Sequence, residues 1–221
     1  MSAEKLAPGN PFDDPALAAR YEGWYGSEGR QADLLEKELL SKLVAAFRHA
    51  RTVLEVGCGT GHFTRWLAEP KLRAVGLDIS DTMLVEARRR DGIEYVRGDA
   101  QALPYADRTW DLVALITTLE FVPDPKRALA EAIRVARHGL LLGVLNRWSL
   151  LTWGYRRSGK PMWKSAHFFT PGELKRLVQK AGGKRLQGIR WRTTLWPIPF
   201  LKDLPLPFGG FIGMAVHLAE E

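Results

Sequence analysis

Residues 52–63 read TVLEVGCGTGHF. The first half is a short apolar run rich in β-branched residues, as a buried strand requires. The second half places Gly57, Gly59 and Gly61 at alternate positions, directly before a helical pattern over His62–Ala68. Strand, glycine loop and helix in that order open a βαβ unit. The same alternation continues outward. RAVGLDI is the next strand and DTMLVEARRR its helix. IEYVRGD and WDLVALIT are strands three and four, a helix spans Pro125–Arg137, and LLLGVL is strand five. TPGELKRLVQKAG carries a helix start, with Thr170 as N-cap, Pro171 at the first helical position and Glu173 closing a capping box; Gly182 and Gly183 end it. KRLQGIRWRT and GFIGMAVHL are the last two strands, and the proline-rich piece at 196–210 is the loop between them. The expected fold is α/β: a Rossmann-like, seven-stranded, mostly parallel sheet, last strand antiparallel, with helices on both faces.

Upstream of the first strand, Ser2–Pro15 reads as a loose leader. ADLLEKELLSKLVAAF has apolar residues at Leu34, Leu35, Leu39, Leu43 and Phe47, a helical period. The expected organisation is one domain over 1–221: an N-terminal helical cap (1–50), a ligand-binding core (51–145), a lid (146–169), and a C-terminal helix with a strand pair (170–221).

Four acids mark the strand ends. Glu55, Asp78, Asp99 and Glu120 lie at or just past strands one to four, spaced by 23, 21 and 21 residues. Ligands of open α/β sheets bind at this edge, where the strand order switches. Glycines let a ligand approach the main chain, and a helix N-terminus favours negative charge. The dinucleotide fingerprint needs G-x-G-x-x-G, and His62 stands at its third glycine position, which counts against NAD. Asp78 follows Gly59 by 19 residues, where an acid can accept ribose hydroxyls. The crevice suits a nucleoside with a charged tail.

Composition excludes several classes. Hydrophobic residues make up 46% of 221, enough for a packed core. A lone cysteine, Cys58, rules out a disulfide framework and a cysteine-based zinc site; no metal is expected. Without a signal-peptide-like apolar run near the start or an 18-residue apolar stretch anywhere, a cytoplasmic protein with no transmembrane segment is expected. The net charge of +7 is lopsided. Residues 1–131 hold 17 Lys or Arg and 21 Asp or Glu, whereas 132–221 hold 15 and 4. Within the basic half, residues 146–169, NRWSLLTWGYRRSGKPMWKSAHFF, combine three tryptophans, one tyrosine, two phenylalanines and five Lys or Arg with no acid. Such a stretch suits a single-stranded nucleic-acid groove, a membrane surface or the wall of a substrate pocket.

The motifs resemble those of class I S-adenosylmethionine-dependent methyltransferases. EVGCGTG (55–61) looks like the family's first motif, GLDIS with Met83 the second, GDAQALPYAD (98–107) the third and WDLVALITTLEFVPDP (110–125) the fourth. FFTPGELKRLVQKAGG is similar to the helix after strand five in the small-molecule branch, the type 11 or ubiquinone-biosynthesis-like group, and YEGWYGSEGRQADLLEKE resembles a cap found in part of it. The resemblance implies methyl transfer from S-adenosyl-L-methionine, leaving S-adenosyl-L-homocysteine. It implies that Gly57, Cys58, Gly59 and Gly61 hold the methionine part, with Glu55 orienting the loop. Asp78 would bind the ribose, Ile79 and Met83 the adenine face, and Asp99, Ala100 and Gln101 the adenine edge. Thr117 would close the site beneath the sulfonium, and Tyr21 would cover the cofactor. Two departures stand out: Glu120 and Phe121 replace a histidine pair common after strand four, and Arg137-His138-Gly139 replaces a Lys-Pro-Gly-Gly turn. His167 and Glu120 are the candidate bases. Trp24, Tyr25, Asn146, Arg147, Trp148 and His167 are the candidate acceptor contacts, with Trp153, Tyr155 and Trp163 walling an apolar acceptor. The partner expected is a small apolar, aromatic or anionic molecule, with peripheral membrane contact allowed. The alternative is methylation of RNA or another polyanion through the basic half, although no Asn-Pro-Pro-Tyr or Asp-Pro-Pro-Tyr motif follows strand four. A non-enzymatic binder or an NAD enzyme is the third option.

Overall fold

The computed structural model describes residues 10–69, 72–196 and 203–219. Most of the expected leader (2–9) and part of the proline-rich loop (197–202) lie outside the described residues.

Two helices precede the sheet: α1 (Pro15–Gly26) and α2 (Arg30–Val44). Asp14 caps α1 by accepting from the Ala16 amide, with Pro15 in the first turn. The strands are β1 (Thr52–Val56), β2 (Arg73–Asp78), β3 (Glu94–Arg97), β4 (Trp110–Ile116), β5 (Ala136–Leu145), β6 (Leu186–Thr194) and β7 (Phe211–Leu218). Between them run α3 (His62–Ala68), α4 (Asp81–Arg88), α5 (Pro125–Val135), α6 (Leu150–Arg157), α7 (Pro161–Lys164) and α8 (Pro171–Gly182). They form one seven-stranded sheet in the order β3-β2-β1-β4-β5-β7-β6. β1 to β5 pair in parallel, and β7 is antiparallel to both β5 and β6.

Every residue of β4 is buried, which is why WDLVALI shows no alternation of polar and apolar residues. The pleat still sorts its side chains. Val113 and Leu115 join the core under α5 and α8, whereas Leu112, Ala114 and Ile116 join the core under α2 and α3. The strand order reverses between β1 and β4, and their carboxyl ends open the crevice there.

Three local expectations are refined. α5 stops at Val135 and β5 begins at Ala136, so Arg137 and His138 belong to the strand. There is no intervening turn, and Arg137 pairs with Asp111 at the foot of β4. The capping box of α8 is half made. Thr170 accepts from the Glu173 amide, but the Glu173 side chain turns to Arg147 and His167. On α2, Leu34 is exposed while Glu36 is buried, because the face turned inward carries Glu36 beside the core residues Leu39, Leu40 and Leu43.

Candidate functional site

The glycine loop is held by its own backbone. Gly57 and Cys58 both donate to the Leu77 carbonyl, at 2.7 and 3.0 Å, tying the end of β1 to β2. Gly57 has φ +74°, and a Cβ there would stand 2.2 Å from the Thr118 methyl. Only glycine fits both the left-handed backbone and the close approach. Gly59 also has positive φ, but its missing Cβ faces open space. Asp78 completes the turn, its two oxygens accepting from the Gly59 and Ser80 amides at 2.8 Å each. Burial raises its pKa, and these amides oppose the shift. Glu55 is buried beneath the loop, bonded to the Thr64 hydroxyl, and burial raises its pKa to about 8. The Cys58 thiol is buried, and burial pushes its pKa well up, which disfavours a nucleophilic thiolate.

Around this loop lies a cavity of about 710 Å³. Twelve of the thirteen residues expected to hold a cofactor line it: Tyr21, Glu55, Gly57, Cys58, Gly59, Asp78, Ile79, Met83, Asp99, Ala100, Gln101 and Thr117. Gly61 instead opens α3 with φ +81°. A second cavity, of about 900 Å³, adjoins it. Pro11, Tyr21, Tyr25, Thr117 and Phe121 are common to both walls. Thr117 has φ +49°, so the chain after β4 turns sharply at the junction.

The cap closes over this junction through a network that long-range folding brings together. Glu22 of α1 accepts from the Thr60 hydroxyl at 2.6 Å, meets His62 Nδ1 at 3.2 Å and pairs with Arg65. Burial alone would raise its pKa; hydrogen bonds from His62 and Thr60 and the charge of Arg65 outweigh that and hold it near 2. The other His62 nitrogen meets Asp33 of α2 at 2.7 Å, and the ring stacks on Tyr25 with centroids 3.6 Å apart. Burial works against the charged imidazole, but Asp33 and Glu22 raise its pKa overall. The residue that breaks the dinucleotide fingerprint thus fastens both cap helices to the glycine loop.

The aromatic and basic stretch has two sides. Inward, Tyr155 and Trp163 stack 4.4 Å apart and line the second cavity with Trp24, Tyr25, Met162 and Phe121. Outward, Trp148 and Trp153 are exposed. Arg157 lies over the Trp153 ring at 4.5 Å, and Arg156 over Phe168 at 5.2 Å. Four of the expected acceptor contacts are not brought to either cavity. Asn146 is fully buried and donates to the Pro207 and Gly209 carbonyls. Arg147 bonds the Phe168 carbonyl and Glu173, and Trp148 packs on Phe208. His167 is half-exposed, with Nε2 2.8 Å from Glu173. The cause is β5: Leu145 reaches the cavity, and the next three residues turn away into the bend before α6, where Asn146 meets the loop before β7.

Glu120 is buried, with one oxygen accepting from the Leu145 amide at 2.6 Å. Its other oxygen has no hydrogen-bond partner among the described residues, and burial raises its pKa to about 8. Glu36, which sequence reasoning missed, lines the second cavity and is 5% exposed. The one available signal was a carboxyl on the apolar stripe of an amphipathic helix. Among the described residues no group of three or more His, Cys, Asp or Glu is arranged to hold a metal, and no helix is long and apolar enough to cross a membrane.

Residues 54–142 match the family described as "Methyltransferase domain". An uncharacterized protein of Mycobacterium tuberculosis is 34% identical over 75% of this chain, which spans 58% of that protein's length. A demethylmenaquinone methyltransferase of Shouchella clausii is 33% identical over 63% of this chain and 60% of its own. A crystal structure from Thermotoga maritima, described as an S-adenosylmethionine-dependent methyltransferase and possible histamine N-methyltransferase, superposes with a TM-score of 0.77 at 30% identity. It covers 94% of this chain and 97% of its own.

Proposed function

The chain belongs to the S-adenosylmethionine-dependent methyltransferases, and on that premise we propose that it methylates a small, largely apolar molecule held in the aromatic cavity beside the glycine loop. The observation that carries this is the contact of two cavities at Thr117 and Phe121. One is lined by the loop and the acids of β2 and β3, the other by the cap and the stretch after β5.

The residues present fit the cofactor. Gly59 leaves its Cβ direction open, and the Asp78 oxygens, each engaged by one amide, keep lone pairs for ribose hydroxyls. Ile79 and Met83 offer an apolar face, and Asp99 an acceptor for an amino group. When bound, S-adenosylmethionine would supply a methyl carbon on a sulfonium, open to in-line displacement by the acceptor with the C–S electron pair left on sulfur. This chain's own residues bind, align and exclude water. Tyr21 and Tyr25, clamped through Glu22 and His62, cover the junction from above. Tyr155, Met162 and Trp163 line the far wall, which supports a lid role for this part of the stretch after β5. No metal is needed for this chemistry.

The acceptor named for relatives is not uniform: one is a demethylmenaquinone methyltransferase and another a possible histamine N-methyltransferase. The aromatic residues of the lid that line the second cavity support a small-molecule reading over an RNA groove. Isothermal calorimetry tests the core of the proposal. S-adenosylhomocysteine is expected to bind in the micromolar range and to lose tenfold or more with Asp78→Asn. Binding of NADH in place of S-adenosylhomocysteine overturns it.

A further inference from the structure

The second cavity has a charge arrangement that narrows the acceptor. Four of its charged lining residues, Asp14, Arg20, Glu28 and Lys160, are exposed and stand at the rim. The fifth, Glu36, is 95% buried (5% exposed). Its carboxyl makes no hydrogen bond or ion pair among the described residues. The adjacent cation is already engaged: Lys37 Nζ sits 3.0 Å from Asp33 and 2.9 Å from His62. The Glu36 carboxyl oxygens are not among the fully buried polar atoms without a partner, so they open on the cavity, where a ligand can meet them. Around Glu36 the cavity is walled by the rings of Tyr21, Tyr25, Tyr155 and Trp163. The Tyr155–Trp163 pair is stacked within 7° of parallel, so each ring covers one face of the other, and both residues line the cavity. Ring faces attract cations, and an aromatic wall with one carboxyl is how proteins hold ammonium groups.

We propose that the acceptor is an organic amine, with Glu36 as its anionic partner and the Tyr155–Trp163 wall as its cation-binding face. This rests on the methyltransferase reading above and names the acceptor class for that same site. Amine and carboxyl share one proton. As an ion pair the ammonium binds; with the proton on Glu36, the nitrogen lone pair is free to form the new C–N bond. The nitrogen then carries the positive charge that the sulfonium gives up, so charge balances without a further reactant. The groups facing Glu36 are Asp33 and Lys37 on its own helix, Glu120 across the sheet edge, and the hydroxyls of Tyr21, Tyr25 and Tyr155. Burial, Asp33 and Glu120 raise its pKa to about 8, which keeps the proton exchangeable between carboxyl and amine near neutral pH.

The test compares matched pairs on the full chain saturated with S-adenosylhomocysteine. Benzylamine, phenethylamine and 4-phenylbutylamine are each titrated against the alcohol of the same skeleton by calorimetry. At least one amine is expected to bind roughly tenfold tighter than its alcohol. Glu36→Gln, of the same shape, is expected to bring that ratio to about one while S-adenosylhomocysteine affinity stays unchanged. If no amine exceeds its alcohol, or if the preference survives in Glu36→Gln, the inference is overturned. If an alcohol binds best, Glu36 is a protonated hydrogen-bond donor to an oxygen acceptor instead. Failure of S-adenosylhomocysteine to bind the wild-type chain would sink the methyltransferase reading itself, a separate result.

Discussion

Replacing Glu22 by glutamine should loosen the cap from the cofactor loop. The carboxylate is bonded to Thr60, His62 and Arg65 at once, and Arg90 lies 3.8 Å away. Its pKa falls from 4.5 to about 2 on folding. At ~1.4 kcal/mol per unit this corresponds to about 3 kcal/mol. Glu22 and Arg65 are each about one quarter exposed (23% and 24%), so solvent screening brings the expected loss to about 2 kcal/mol. α1 makes most of its contacts with other cap elements and α4, so this loss should appear as local opening. Hydrogen exchange followed by mass spectrometry at pH 7 should show protection of α1 amides falling roughly thirtyfold, with β4 unchanged. Tyr21 and Tyr25 ride on α1, so affinity for S-adenosylhomocysteine should fall as well. The pH dependence has a definite sign. A depressed carboxylate pKa stabilises the fold above pH 4.5, and that contribution is lost as pH falls through 4.5 toward 2. Wild type and variant should therefore differ fully at pH 7 and much less at pH 3. Unchanged α1 exchange at pH 7, or a gap that does not narrow in acid, would refute the clamp.

Two further substitutions have clear expectations. Gly57→Ala combines left-handed strain of about 1–2 kcal/mol with a clash against Thr118 worth about 1–3 kcal/mol. Its melting temperature should drop well beyond that of Gly59→Ala, whose Cβ meets open space; equal drops by calorimetry would count against the packing argument. His167→Ala should leave turnover within about twofold, since the ring is half-exposed on Glu173 and outside both cavities. A collapse of turnover with cofactor affinity intact would instead restore His167 as a base.

The cofactor side of the site was legible because its parts are local. TVLEVGCGTGHF contains strand, turn and helix start in twelve residues, and Asp78 and Asp99 follow at the regular βα spacing. Backbone rules decide such segments: glycine where φ is positive, apolar residues where both sheet faces are covered. Twelve of the thirteen expected cofactor residues accordingly stand around one cavity. The acceptor side was less legible. Asn146, Arg147 and Trp148 follow the end of β5, as expected, yet they turn away, because Asn146 is drawn into the loop before β7 sixty residues later. No spacing rule contains that contact.

What the sequence by itself determined is the parallel sheet, the crevice at its carboxyl edge and the loop that lines it, since short-range stereochemistry and hydrophobic pattern specify each. Only the tertiary structure decided that His62 latches the cap, that the tryptophan stretch faces two ways, and that Glu36 is a buried carboxyl lining the second cavity. Each of those depends on which distant chain segment packs against a side chain. Burial and charge partners, the quantities that set the chemistry of a carboxyl or an imidazole, exist only once that packing is made.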